Sequence, residues 1–537
     1  MRRWPLSIGM TTLLVVAGLA QALSLAWPFE GAWRGVPLGG LQCASLAVLA
    51  AALDRCNSVR HAFAQAWVFA FAWLAGSTWW LFISLHTYGE LAAPLAVAAV
   101  GLLAAGLALF YGAAGALFHR LCGHLQVGVL ARSVSFASVW MLAELVRGTL
   151  WTGFPWGAGG YAHVDSLMRH WAPWVGVYGL CALSAGLAMA LVAQRPHVTS
   201  RAVVARSLTA LVVLALGWTW LTSPSQTAST ASTQPLRVTL LQGNIPQDLK
   251  FGASGVGRAL RDYREGLLSS TSDLTVTPET ALPMPPEQLP DGYWSGVQQR
   301  FSKGTQAALI GIPLLQHHAN GQRQYSNSAL GLMPQATPAS TATYQYDKHH
   351  LVPFGEFVPP LFQWFVRLLN IPLGDFTRGE VAQPTLHFKG ERIAPNICYE
   401  DLFGEELARS FADPAQAPTL LVNLSNIAWF GDTVAIDQHL HISRMRALEL
   451  GRPMLRATNT GATAIINAQG EVTQRLPSAV AGALTAEVTG VHGPVTPYAR
   501  WVSVWGLWPL AGLALLTLLV VAVMAHAGRH GPRRFGP

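Results

Sequence analysis

The chain has 537 residues, of which 51% are hydrophobic and only 12% charged, with a mean hydropathy of +0.33 and a formal charge of +8. A soluble domain carries roughly 25% charged residues, so a purely soluble protein is excluded. Twenty Trp and 33 Pro exclude a polar disordered chain or a coiled coil. The basic residues are scattered rather than gathered on one domain, so they read as membrane-topology signals and not as a nucleic-acid surface.

Apolar runs near the bilayer-spanning length of about 20 residues fall at 7–26, 38–54, 62–85, 91–118, 125–146, 172–194, 203–222 and 501–526. The first is expected to be a span and not a cleaved leader, because more spans follow and no convincing small-residue cleavage site ends it. Arg2 and Arg3 precede the first run. Arg55 and Arg60 follow the second, Arg120 the fourth, Arg195, Arg201 and Arg206 the sixth, and Arg529, Arg533 and Arg534 the last. The positive-inside rule then puts both termini in the cytoplasm, with eight spans. The long segment between the seventh and eighth spans is expected outside the cytoplasm. The outer loop 147–171 is rich in Gly, Trp and Phe. It reads either as an interfacial aromatic anchor or as the mouth of a lipid-facing site lined by Gly153–Trp156 and Tyr161.

Residues 223–235 form a Ser/Thr/Pro/Gln linker. Beyond it the pattern becomes soluble α/β over 236–490. Strands are predicted at 236–243, 273–277, 307–312, 327–333, 341–347, 392–398, 419–424, 454–457 and 463–467. Helices are predicted at 256–270, 294–303, 402–411 and 433–450, the last ending at Gly451–Pro453. One stretch here, 357–376, is unusually apolar: it is either a buried core helix or a lid touching the bilayer, with Trp364 as its ring.

Three segments carry chemistry. Glu279 sits in TPETALP, Lys348 in YDKHHLVPFGEFVP and Cys398 in NICYEDLF, each at a predicted strand end. Cys398 is the natural nucleophile. A strand-to-helix turn and a nearby Lys are expected to lower its pKa. Glu279 can take the thiol proton, and Lys348 can stabilise an oxyanion. Taken singly, each is more often a core Cys or a solvated charge; the order Glu, Lys, Cys at three punctuated strand ends is far more specific. No CxxC or Cys/His spacing suggests a metal, His439 and His441 point to different faces of one helix, and ASGVG at 253–257 is not a phosphate loop. No cofactor is expected.

These segments resemble the nitrilase superfamily, whose members use a Glu-Lys-Cys triad in an αββα sandwich. With seven spans before and one after, the whole chain resembles the apolipoprotein N-acyltransferases. The resemblance also covers GFPW at 153–156, LLQGNIPQ at 240–247, LVPFGEFVP at 351–359, AWFG at 428–431, QHL at 438–440, RALELGRP at 446–453 and RATNTG at 456–461. It implies Glu279 as base, Lys348 as oxyanion stabiliser and Cys398 as nucleophile, with support from Glu356, Tyr399 and Glu400. Substrate contacts are expected from Phe251, Trp429, Trp364 and Trp156. Two positions depart from the family: Phe251 stands where Trp is usual, and Ile427 where Asp is frequent. The implied architecture is a helical membrane bundle, 1–222, a nitrilase-like periplasmic domain, 236–490, and a last span, 501–526. The implied reaction moves an acyl chain from a phospholipid, usually phosphatidylethanolamine, through a Cys thioester to a diacylglyceryl lipoprotein. The implied site is the bacterial inner membrane. A membrane-tethered amidase and a non-catalytic lipoprotein-binding partner are the alternatives.

Overall fold

The computed structural model describes residues 6–123, 128–193, 234–250, 252–317, 323–334, 343–359 and 376–530. The chain divides into two units. One comprises Met1–Trp79, Ala98–Thr227 and Trp505–Pro537, and the other Trp80–Val97 and Ala228–Val504.

The first unit is helical because its sequence is Ala/Leu-rich, with the few polar residues inside its helices, such as Gln65, Ser135 and Glu144, buried. Ser7 caps Ile8–Leu23 by accepting from the Met10 amide, and Ser58 caps Val59–Thr78 by accepting from His61. Among the described residues four helices are long and apolar enough to cross a bilayer: Ala93–Cys122, Val129–Thr149, Leu167–Val192 and Trp508–His526. Val59–Thr78 and Leu81–Tyr88, bent by 59°, add a fifth if taken together. Ile8–Leu23 and Gly39–Asp54 are apolar but shorter. The expected span 203–222 and most of the linker 223–235 lie outside the described residues.

Small residues let these helices touch. A Cβ on Gly18 would lie 2.3 Å from the Phe69 carbonyl oxygen, and one on Gly115 would lie 2.7 Å from the Ala66 Cβ. Inside the unit, Arg147 and Glu144 form an ion pair at 2.6 Å with both side chains fully buried. Arg147 also donates to the Tyr111 hydroxyl at 2.8 Å and to the carbonyls of Phe154 and Trp156 at 2.6 and 2.8 Å. A buried charge survives only when its donors are satisfied, so this one side chain folds the GFPW segment back onto the helices.

The second unit is built on two six-stranded sheets. The first has the order β12-β1-β2-β3-β4-β5. Its strands are β1 (Leu236–Gln242), β2 (Leu274–Val276), β3 (Ala307–His317), β4 (Arg323–Leu332), β5 (Tyr344–Asp347) and β12 (Gly482–Val488). The second has the order β11-β10-β9-β8-β7-β6. It contains β6 (Leu386–Phe388), β7 (Glu391–Ile397), β8 (Leu420–Ser425), β9 (Met454–Thr458), β10 (Ala464–Ile466) and β11 (Val472–Arg475). Period-2 alternation sorts the faces. Leu236, Val238 and Leu240 meet Ile393, Leu420 and Val422 between the sheets. Leu241, Ala308 and Ile310 face outward under helices Ala253–Ser269 and Tyr293–Ser302. Helix Ala435–Leu450 packs on β9 and ends at Gly451, whose φ of +63° makes the left-handed stop. The αββα sandwich expected from the resemblance is therefore present.

Three strands were not anticipated. β6 has only three residues, β11 is largely exposed and β12 alternates through Gly, Ala and Thr. The predicted helix 402–411 is a correction: the chain makes a 3-10 turn Cys398–Leu402, a single helical turn Gly404–Leu407 and a second 3-10 turn Ala408–Phe411. Most of the apolar stretch 357–376, including Trp364, lies outside the described residues.

Strands β1, β2 and β3 run parallel, as do β7, β8 and β9. Since β4 and β5 each reverse direction, β5 again runs with β2. The segments that follow β2, β5, β7 and β8 therefore leave from the carboxyl ends of co-directional strands within each sheet, the usual place for a site in an open α/β fold.

Candidate active site

Glu279 follows β2 and is 8% exposed. Its Oε1 accepts from Asn327 Nδ2 at 2.8 Å and from Lys348 Nζ at 3.2 Å, and its Oε2 accepts from the Asn426 amide at 2.9 Å. Burial alone would push this carboxyl up. Lys348, Lys250 and the Asn327 hydrogen bond outweigh it and hold Glu279 below the usual carboxylate range. It is therefore an ionised base.

Lys348 follows β5 and is buried at 1% exposure. Its ammonium lies 3.2 Å from Glu279 and 3.0 Å from Glu356. Burial pulls the lysine down, but Glu279, Glu356 and Cys398 pull it further up, so it stays charged. Glu356 Oε1 also accepts from Asn327 Nδ2 at 2.7 Å, and its Oε2 accepts from the Val352 amide at 2.8 Å. Glu356 thus anchors the loop after Lys348 while sharing its charge.

Cys398 directly follows β7 and has a φ of +53°, in the left-handed region. The Ser425 hydroxyl donates to its sulfur at 3.4 Å. The thiol pKa is pushed up to about 12 by burial and by Glu279, against Lys348, Ser425 and the Asn426 amide. This corrects the expectation of a lowered pKa. The element after Cys398 is one 3-10 turn rather than a helix, so the macrodipole it offers is small. The resting sulfur is a protonated thiol, and its proton must leave as the bond forms. An ionised carboxylate near the thiol answers that need.

The remaining expected residues divide. Glu400 is buried at 3% exposure and bridges two strand ends. Its oxygens accept from the His349 and His350 amides at 2.7 and 3.2 Å, and from the Ile397 amide and the Tyr346 hydroxyl at 2.6 and 2.9 Å. Burial raises its pKa to about 7 despite these donors and Lys348. It ties the Lys348 loop to the Cys398 turn. Tyr399 is buried edge-on to Phe403, with ring centres 5.3 Å apart. Trp429 is half-buried and faces Tyr88 edge-on at 5.8 Å. Trp156 belongs to the helical unit and is 3% exposed, its carbonyl held by Arg147. Phe251 and Trp364 lie outside the described residues.

Sequence reasoning missed three participants. Asn327, in the interior of β4, donates one amide group to both Glu279 and Glu356. Lys250 is 3% exposed and donates to the Glu279 carbonyl at 3.3 Å and to the Thr280 hydroxyl; burial pulls it down to about 8, against Glu279 and Cys398. The third is Tyr88, carried in by the segment Trp80–Val97. There Trp80 donates to Gln438 at 3.1 Å and packs on Phe430 with ring centres 4.2 Å apart. Lys250, three residues past the LLQGNIPQ block, was a readable signal. A single Asn in a strand was not. Asn459 satisfies loop backbone, binding both the amide and the carbonyl of Ile245.

Comparison with known proteins agrees with this geometry. Residues 17–190 match the family described as the apolipoprotein N-acyltransferase N-terminal domain, and residues 237–492 match carbon-nitrogen hydrolase. The chain is 53% identical to an apolipoprotein N-acyltransferase of Verminephrobacter eiseniae, covering 92% of each chain. It is 44% identical to one of Ralstonia nicotianae, over 86% of this chain and 85% of that one. It is 42% identical to one of Bordetella bronchiseptica, over 91% and 92%. A membrane-helical part and a carbon–nitrogen hydrolase sandwich, matched together over nearly the full length, leave one assignment: the chain belongs to the apolipoprotein N-acyltransferase family.

Proposed function

We propose that this enzyme transfers an acyl chain from a membrane phospholipid to the α-amine of an N-terminal S-diacylglyceryl-cysteine, through a thioester on Cys398. The observation that carries this reading is the buried Lys348 ammonium held 3.2 Å from Glu279 and 3.0 Å from Glu356, with both Glu279 and Lys348 acting electrostatically on Cys398 directly after β7. Glu279 takes the thiol proton as the sulfur attacks the ester carbonyl. The oxyanion forms beside the Lys348 ammonium. Its collapse breaks the ester C–O bond, and Glu279 returns the proton to the departing lysophospholipid. The lipoprotein amine then attacks the thioester, Glu279 accepts the amine proton, and the proton passes to the released sulfur. Glu356, Tyr399 and Glu400 hold these groups in place. Trp429, Phe251 and Trp364 are assigned to lipid contacts; Trp156, only 3% exposed, packs inside the helical unit instead.

A thioester keeps the acyl group activated, and an apolar surround limits its loss to water. Both substrates are lipids, so a membrane-anchored catalyst meets them at high effective concentration. We assign eight spans in the bacterial inner membrane, with the domain 236–490 on the periplasmic side and phosphatidylethanolamine as donor. The arginines flanking the apolar runs support that orientation.

The test is incubation with acyl-labelled phosphatidylethanolamine, followed by peptide mass spectrometry. One acyl group on the Cys398 peptide, with lysophospholipid released, is expected. Glu279→Gln should slow acylation by about 10²–10⁴-fold. Ammonia release from soluble amides without acylation would make the chain an amidase instead. Full complementation by Cys398→Ser would make it a binding partner.

A further inference from the structure

A second cluster of buried polar groups lies behind Cys398, away from Glu279 and Lys348. Asp401, Ser443 and Arg456 have no exposed surface, and His439 has 1%. Arg456 Nη2 lies 2.8 Å from His439 Nδ1. Arg456 Nη1 reaches Ser443 Oγ at 2.5 Å and both Asp401 Oδ2 and Asn423 Oδ1 at 3.3 Å. Ser443 Oγ donates to Asp401 Oδ2 at 2.5 Å. His439 Nε2 lies 2.9 Å from Asp401 Oδ1 and 3.3 Å from the Cys398 carbonyl oxygen.

These contacts determine the histidine tautomer. A guanidinium can only donate, so His439 Nδ1 must accept from Arg456. The ring proton therefore sits on Nε2, aimed at Asp401 and at the Cys398 carbonyl. Burial and the Arg456 charge keep the ring neutral against Asp401. The same carbonyl receives Asn423 Nδ2 at 3.2 Å. On the other side of the residue, the Ile397 amide is held by Glu400 at 2.6 Å. Both flanks of Cys398 are thus fixed by buried side chains.

That fixation has a reason. Cys398 has a φ of +53°, a region in which an L-residue other than Gly is disfavoured. Glycine would relieve the strain but would remove the sulfur. A strained residue persists only where its surroundings over-determine it. We infer that His439, oriented by Arg456 and Asp401, acts with Asn423 as a positioning network that locks the Cys398 carbonyl and so aims the thiol. The inference rests on the reading of Cys398 as nucleophile. Asp401 and Arg456 cancel in charge, so the network sets geometry without opposing the Glu279–Lys348 pair.

The test uses the full-length enzyme in detergent–phospholipid micelles. Thioester formation is followed with acyl-labelled phosphatidylethanolamine, kcat and KM are separated, and thermal unfolding is recorded beside them. His439→Leu is expected to lower kcat about 100-fold, the scale of an ångström-level misplacement, with KM within about twofold. His439→Gln keeps an N–H donor and is expected to recover to within about fivefold of wild type. Asn423→Asp keeps the acceptor for Arg456 but loses the donor shared between the Cys398 carbonyl at 3.2 Å and Asn396 Oδ1 at 2.6 Å, and should repeat the kcat loss. Wild-type kcat in His439→Leu or Asn423→Asp overturns the network, as does a loss confined to KM or a His439→Gln as impaired as His439→Leu. Should His439→Leu fail to fold, the contrast between His439→Gln and Asn423→Asp decides by the same criteria. A wild-type enzyme that never acylates Cys398 removes the nucleophile reading itself, which separates that failure from failure of the network.

Discussion

Asn327→Leu removes one small amide and tests the electrostatics of the whole site. Asn327 Nδ2 donates to Glu279 at 2.8 Å and to Glu356 at 2.7 Å, so it bridges the two carboxylates that flank Lys348. A hydrogen bond to a charged acceptor contributes about 1.5–3 kcal/mol. At about 1.4 kcal/mol per pKa unit, losing the bond to Glu279 raises its pKa by about one to two units. The sign follows from the direction of the native shift. Glu279 is held below its ordinary value, and in the proposed mechanism it works as a base only when ionised. Raising its pKa moves the acidic limb of the kcat/KM profile for thioester formation to higher pH, by the same one to two units. The two bonds together bound the stability loss at about 3–6 kcal/mol, reduced by relaxation within the shared network. The assay is the pH profile of Cys398 acylation, with thermal unfolding as the control for folding. A folded Asn327→Leu enzyme whose acidic limb stays within a few tenths of a unit of wild type would refute the argument.

Gly311→Ala would place a Cβ 2.0 Å from the Pro278 carbonyl oxygen and 2.9 Å from the Glu279 Cα. We expect about 1–3 kcal/mol of destabilisation from overpacking and a larger fractional loss of acylation; melting and acylation assays report both. Arg147→Met leaves Glu144 buried and uncompensated, at about 3–5 kcal/mol. The folded, monodisperse yield in detergent should fall and should recover in part when Glu144→Gln is added. Burial pushes Glu400 up to about 7 and Glu405 up to about 8. Between the unfolded value near 4.5 and pH 7 the folded state retains the Glu400 proton, so this group's contribution makes stability fall as pH rises through that window. Glu400→Gln should flatten that slope, with Glu405 supplying a residual one, as read from melting temperature against pH.

The fold was legible wherever local pattern decides it. Nine strands and three of four predicted helices in 236–490 follow from alternation, amphipathic spacing and stop signals such as Gly451–Pro453. The apolar runs likewise anticipate the membrane helices among the described residues. What escaped were β6, β11 and β12, whose short or exposed segments are held by their neighbours rather than by their own propensity. The predicted helix at 402–411 is interrupted at Phe403, whose φ of −104° and ψ of 77° are not helical, so only short turns form on either side.

The sequence by itself determined which chemistry-bearing side chains stand at strand ends: Glu279, Lys348 and Cys398 each stand at the end of a segment whose pattern predicts a strand. Only the tertiary structure decided their charge states. Whether Cys398 rests as thiol or thiolate depends on how burial balances Glu279 and Lys348, residues far from it along the chain. Asn327 meets Glu279 across 48 positions, and His439 meets Asp401 across 38. Electrostatic and hydrogen-bond energies depend on distances in space, and no local pattern of residues encodes those distances.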